Sequence, residues 1–465
     1  MKNKIFIFIF LLFLFINFIE AKTYLNGYYQ FYTSTYRNSN HKWDMNSPDN
    51  YFQLKFYSNP SDKAEVFAQL GSGGMNNKEG ARLENGHLKF FYGKEKTGFE
   101  AYLFTMQDRL WMGHHTLNFV NGSSDYEGIR SKIWLNALDG WFDFEFVLAN
   151  NKNDNADIQI FQLRRNFLKD DRLKLSFNGA KKIWGDEDDK YNSYYSQYIQ
   201  YKLLKDFFLT LEISKSYDPS QTPSGNDLAT KFEARWLKYE NENFGELGYG
   251  FTYENYGKNY RCYLGSNNYN YINYYNEMYY NFPMKSITFV LKNNYKEDVG
   301  HNFIERWFYF ENYIEFIEGY KFKFAYETSE NKWGDNYPKL LFQIEKNIKE
   351  VQYKVQYRRL KNWVTKTNND LFGLENKFKL YKEVLTLYWR LVFLKDKTLN
   401  FRKENIFANL RYDLGWDAEC YLEYGESWYN DGDLTNDGDF IGSNSYDYEH
   451  RKTTDVIKFK LSINF

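Results

Sequence analysis

Residues 455–465 alternate strictly between two kinds of side chain. Ile457, Phe459, Leu461, Ile463 and Phe465 fall on one side of an extended chain, and Lys458, Lys460, Ser462 and Asn464 fall on the other. Successive side chains of a strand point to opposite faces, so the segment reads as a strand with one apolar and one polar face. The same unit recurs along the chain. In 51–57, Phe52, Leu54 and Phe56 oppose Gln53 and Lys55, and in 141–148, Phe142, Phe144, Phe146 and Leu148 oppose Asp143 and Glu145. Segments 24–35, 351–357 and 416–424 follow the same rule. A chain built from such units makes sheet, and each strand needs an apolar environment on one side only.

The breaks between units fall into two classes. Short ones carry hairpin turn chemistry, as in Pro60-Ser-Asp, Gly93-Lys-Glu-Lys, Leu138-Asp-Gly, Lys205-Asp, Asn241-Glu-Asn, Pro283-Met and Asp413-Leu-Gly. Those between them are longer and more polar: 37–49, 72–83, 107–125, 183–190, 257–268 and 429–451. Short turns at one end and long loops at the other are the two-sided pattern of a transmembrane barrel. Composition agrees. Mean hydropathy is strongly negative and no apolar run reaches the ~20 residues of a spanning helix, yet 21% of residues are aromatic. A barrel accommodates both, because its lumen is polar and its outside is apolar between aromatic girdles. Only 6 prolines interrupt 465 residues, which suits long strands.

The closing segment, ending on Phe465, resembles the last strand of Gram-negative outer-membrane β-barrels. There a C-terminal Phe with alternating apolar residues is the assembly signal, a role the resemblance gives to Phe459, Leu461, Ile463 and Phe465. The expected fold is all-β, a transmembrane antiparallel up-and-down barrel of about 24 strands (range about 22–26), with short periplasmic turns and longer external loops. Residues 1–21 read as a secretory signal, with Lys2 and Lys4 ahead of an apolar core and Ala21 at the cut. Residues 22–465 form one barrel domain, with no room for an N-terminal plug. The expected location is the outer membrane of a diderm bacterium. Lipid and the barrel assembly machinery are the expected partners, and oligomeric state is left open.

Two loops are long enough to narrow so wide a barrel. Loop 107–125 is the third external loop, which constricts the pore of general porins. Arg109, Trp111, His114 and His115 are its candidate constriction residues; an external hairpin on the rim is the alternative. In the last loop, Asp431, Asp433, Asp437 and Asp439 with Gly432 and Gly438 resemble an oxygen-rich Ca2+ site. Their spacing departs from the twelve-residue EF-hand, and a solvated turn is the alternative.

Phasing assigns lumen residues. In the last eight strands the inward basic positions are Lys321, Lys323, Lys339, Lys354, Arg358, Lys377, Lys379, Arg390, Lys403, Arg411, Lys458 and Lys460. The inward acids are Glu327, Glu345, Glu375, Asp417, Glu419 and Glu423. The wall is thus more basic than the chain, whose net charge is −1. That near-neutral balance argues against a nucleic-acid binder. Tyrosines in 268–282 fall on both faces, as sugar-stacking platforms or girdle residues.

Cys262 is placed near a loop and Cys420 on a lipid-facing position, so no disulfide is expected. Of the histidines, His87 phases inward and His41, His114, His115, His301 and His450 lie in or beside loops. No hydrolase, zinc-protease or P-loop motif occurs, and an enzyme is not expected. The expected function is a porin-like channel for passive diffusion of small hydrophilic solutes, carbohydrates or anions, with no resident cofactor apart from the Ca2+ loop. The alternatives are a loop-closed structural or adhesive barrel and a polysaccharide exporter.

Overall fold

The computed structural model describes residues 22–465 except 38–41, 47, 74–81, 95–96, 108–125, 138–139, 152–154, 169–170, 186–190, 220–226, 263–268, 284–286, 318, 337, 362–367, 382–383, 398–400, 416 and 426–455. The expected signal segment 1–21, the candidate constriction residues Arg109, Trp111, His114 and His115, and the candidate Ca2+ aspartates Asp431, Asp433, Asp437 and Asp439 lie outside the described residues.

The strands in chain order are β1 (Lys22–Arg37), β2 (Trp43–Met45), β3 (Asp49–Ser61), β4 (Ala64–Gly73), β5 (Arg82–Lys94), β6 (Thr97–Gln107), β7 (Tyr126–Ala137) and β8 (Gly140–Asn151). Then come β9 (Ala156–Phe167), β10 (Leu173–Trp184), β11 (Tyr191–Leu204), β12 (Phe207–Tyr217), β13 (Leu228–Asn241), β14 (Gly245–Tyr256), β15 (Tyr271–Asn281) and β16 (Ile287–Glu297). The rest are β17 (Phe303–Ile317), β18 (Tyr320–Asn331), β19 (Lys339–Ile348), β20 (Val351–Lys361), β21 (Asn368–Leu380), β22 (Leu385–Asp396), β23 (Phe401–Gly415), β24 (Ala418–Tyr424) and β25 (Val456–Asn464).

Every neighbouring pair is antiparallel, and β25 returns to β1 from Tyr28↔Asn464 to Tyr36↔Val456. The sheet has no free edge. β2 and β3 pair with the same side of β1, at Thr35↔Met45 and at Tyr32↔Asp49, and make one stave with a register break. The 25 strands therefore form 24 staves. A round barrel of that number, with strands ~4.8 Å apart and tilted ~40°, is roughly 45 Å across.

Both ends of the chain's barrel lie at the short-turn end. Connections there are tight, as at Lys205–Asp206 and 349–350, where Asp206 (φ 64°) and Lys349 (φ 48°) take the left-handed conformation a two-residue hairpin turn demands. Two boundaries differ from the sequence reading. Pro60 and Ser61 lie inside β3, beside a register shift at Ser58/Ser61, and the turn there is Asp62-Lys63. Asp413-Leu-Gly is a bulge inside β23, which runs to Gly415, and β24 starts at Ala418. Asp417 is consequently a turn residue with φ 57°, whose carbonyl accepts the Asn464 amide, and not a position in the lumen wall.

Burial is inverted relative to a water-soluble protein. Inward-facing Glu145, Gln162 and Glu212 have no exposure, whereas outward Ile133, Ile344 and Leu422 are each about half exposed. Outward aromatics meet at tilted angles across strands, with ring centroids of Phe289–Phe310 at 6.2 Å, Phe310–Phe324 at 6.1 Å and Phe324–Phe342 at 5.1 Å. An apolar belt of that kind is stable only against lipid.

Candidate functional site

The lumen wall is where this chain collects its polar chemistry. Residues opposite one another in an antiparallel pair share a face, so the inward set can be followed around the barrel. Lys321↔Glu345↔Lys354↔Glu375↔Arg390↔Phe407 is one such row across β18–β23. Charges alternate along it, which is the favourable cross-strand arrangement.

The densest charge network among the described residues lies on β7–β9. Glu145, fully buried, has Arg130 Nε at 2.5 Å and Arg164 Nη2 at 3.2 Å. Arg164 also pairs with Asp143, which has Lys132 at 4.0 Å. Next in the ladder, Gln162 donates to Asn178 (2.5 Å), and Asn178 donates to Ser196 (2.9 Å). Phasing of the last eight strands alone missed this cluster. Arg130/Lys132, Asp143/Glu145 and Gln162/Arg164 nevertheless carry the same period-two signal on consecutive strands.

Segment 257–262, after β14, folds inward over β11 and β12. The Tyr260 hydroxyl and Ser214 Oγ are 3.1 Å apart. The Arg261 amide donates to Ser216 Oγ (3.0 Å), and Asn192 Nδ2 donates to the Arg261 carbonyl (3.4 Å). Tyr260 and Cys262 are buried by this contact, and burial raises the Tyr260 hydroxyl far above the ordinary phenol range. Cys262 is thus in a loop, as read from sequence, and Cys420 is opposite Tyr412 and Leu461 on the outward face. No sequence signal marks 257–262 as an inward loop, because its partners are serines 45 and 46 residues away.

Further round, Lys231 bridges Glu233 and Glu254 at 3.1 Å each. Lys323 pairs with Glu311 (3.0 Å) and Lys339 with Glu327 (2.9 Å). His87 faces inward, stacked on Phe67 and 2.8 Å from Glu65. Inward Tyr275 and Tyr279 donate to Glu277 (3.0 Å) and Glu246 (2.5 Å), while Tyr274 and Tyr280 face outward, so both readings of the tyrosine stretch find residues.

The arc β20–β25 is one stretch of the wall rich in inward cations. Lys354, Arg358, Lys377, Lys379, Arg390, Arg411, Lys458 and Lys460 face inward there against Glu375, Asp413, Glu419 and Glu423. That is eight cations to four carboxylates among the described side chains. Glu375 accepts from Gln356 and from the Tyr388 hydroxyl (3.3 Å), and the Arg390 guanidinium lies over the Phe407 ring at 5.3 Å. Arg411 pairs with Glu419, and Lys460 lies 5.6 Å from the Tyr421 ring centre. Lys403 stands opposite Leu394 in register. Phe459, Leu461 and Ile463 take the outward positions of β25.

No protein-family model matches the chain, and no curated protein matches it in sequence. Solved structures do match. The P pilus usher (PapC) translocation pore aligns with a TM-score of 0.50 and 8% identity, covering 94% of this chain and 99% of that one. A chain of the E. coli P pilus tip assembly intermediate PapC-PapD-PapK-PapG gives 0.59 at 8% identity, over 95% of this chain and 60% of its own length. At that identity the likeness is one of fold. Closed ladder, lipid-facing belt, polar interior and structural neighbours together make this chain a 24-stranded transmembrane β-barrel of the Gram-negative outer-membrane type.

Proposed function

We propose that the barrel is an outer-membrane channel through which small hydrophilic solutes diffuse passively, with a preference for anionic ones. The observation that carries the reading is the basic arc on β20–β25, where inward cations outnumber inward carboxylates two to one among the described side chains. Fixed charge on a low-dielectric wall concentrates counter-ions and sets which solutes enter. The paired charges elsewhere hold the wall in shape and keep it wettable. Inward Tyr275 and Tyr279, each beside a carboxylate, offer the stacking face and the acceptor that a sugar ring uses. The chemistry proposed is passage without catalysis, and the barrel reaches the membrane through the assembly machinery that reads β25.

A second reading, translocation of a polymer, rests on the likeness to the usher pore and on the barrel's width. Swelling of liposomes containing the purified full-length protein separates the two. Diffusion of small sugars and sugar acids that falls off steeply with solute size supports the channel. Passage of an extended polysaccharide at a rate similar to that of a monosaccharide supports the translocation pore, and no swelling with any solute overturns both.

A further inference from the structure

The outward face at the long-loop end of β20–β22 carries two rows of unlike chemistry. Asp370 stands opposite Arg359 on one side and Lys395 on the other. Its carboxylate accepts from Arg359 Nε at 2.9 Å and from the Tyr357 hydroxyl at 3.0 Å, and Lys397 Nζ lies at 2.6 Å. Three cations thus meet one carboxylate among the described side chains, and Arg359, Lys395 and Lys397 are all exposed. Two residues nearer the middle of each strand, ~6.6 Å away, is an aromatic row: Tyr357↔Phe372↔Phe393. Phe372 and Phe393 are also exposed, on the side that faces lipid.

Two outward cations elsewhere at this end each meet one carboxylate, Arg306 with Glu330 and Lys215 with Asp227. On β20–β22 three cations share one among the described side chains. This cluster sits just beyond the apolar belt, at the depth of lipid headgroups, with ring surface below it for an acyl chain. We propose that these two rows bind a phosphorylated glycolipid of the external leaflet, with its phosphate on Arg359, Lys395 and Lys397 and its chains against Phe372 and Phe393. Asp370 acts as a positioning residue that holds Arg359 and Lys397 side by side. A guanidinium presents a planar fork that matches a phosphate, and basic residues beside a bilayer attract anionic headgroups. A free phosphate uses only the first row, and a zwitterionic lipid brings its own cation into it.

Native mass spectrometry of the full-length protein in neutral detergent tests this, with diphosphoryl lipid A, its dephosphorylated form, phosphatidylglycerol and inorganic phosphate as probes. Diphosphoryl lipid A should bind at least tenfold more tightly than the other three. The combined Arg359→Ala, Lys395→Ala, Lys397→Ala variant should lose at least tenfold, with heat-modifiable migration on gels reporting that it folds. Equal binding of the phosphorylated and dephosphorylated forms by the wild-type protein overturns the proposal without any variant. Equal binding of phosphatidylglycerol and lipid A overturns the glycolipid assignment, and a folded triple variant that binds like wild type overturns the site.

Discussion

Phe465 lies flat across Gly27. Each donates its amide to the other's carbonyl, at 2.5 Å from Gly27 and 3.0 Å from Phe465, and a Cβ at position 27 would sit 2.2 Å from the Phe465 ring. The ring reaches beyond β1 and stacks on Phe52 of β3, with centroids 6.1 Å apart. The last residue of the chain therefore clamps the seam where first and last strands meet, and it does so because residue 27 has no side chain.

Gly27→Val drives a branched side chain into that ring, an overpacking that costs about 1–3 kcal/mol. Heat-modifiable migration should show less folded barrel for Gly27→Val and for deletion of Phe465. Gly27→Val with Phe465→Ala should recover part of the loss, because the collision is gone. Migration of Gly27→Val identical to wild type would mean that the clamp does not hold the seam.

Glu145, itself without solvent exposure, neutralises Arg164 and the partly exposed Arg130. Glu145→Gln removes this carboxylate from Arg130 and leaves Arg164 with Asp143, and breaking a buried pair from one side costs up to about 3–5 kcal/mol. Guanidinium unfolding in detergent should register a loss of that order. Replacing Arg130 by Gln in the same chain should return part of it. A loss below about 1 kcal/mol would show that water reaches this cluster.

Tyr260 anchors segment 257–262 to the inner face of β12 through Ser214. Tyr260→Ala removes a buried ring and its hydroxyl contact, at a cost of about 3–5 kcal/mol if the segment stays in place. Release of the segment offsets that cost, so the expected outcome is a smaller stability loss together with a higher single-channel conductance. Unchanged conductance would mean that 257–262 lies outside the conducting path.

The architecture was legible in the sequence because a barrel obeys one rule everywhere. Period two put Phe459 and Lys460 on opposite faces of β25, and the same parity carried through to Lys354 and Arg390. What escaped was whatever depends on contact between distant residues. Nothing near Tyr260 or Cys262 indicates that serines on β12 receive the segment. The signal at Asp413-Leu-Gly415 was ambiguous in a different way, since glycine marks bulges as well as turns, and the bulge moved the turn to Asp417. The cation row of Arg359, Lys395 and Lys397 needed the register of three strands before it became a cluster at all.

Lys458 and Lys460 are the inward charges of the closing strand, opposite Glu423 and Tyr421. Lys458→Glu with Lys460→Glu converts two cations of the basic arc to acids without touching the lipid face. The reversal potential under a KCl gradient should move toward that of a cation-preferring pore, and an unchanged value would remove this strand from the selectivity path.

Planar-bilayer recording of the wild-type protein under a KCl gradient, at neutral pH and moderate salt, reads both whether the barrel conducts and which ion it prefers. Discrete open steps with a reversal potential of anion-preferring sign are the predicted result. A barrel that inserts but passes no current, or one that prefers cations, is incompatible with an anion-preferring channel.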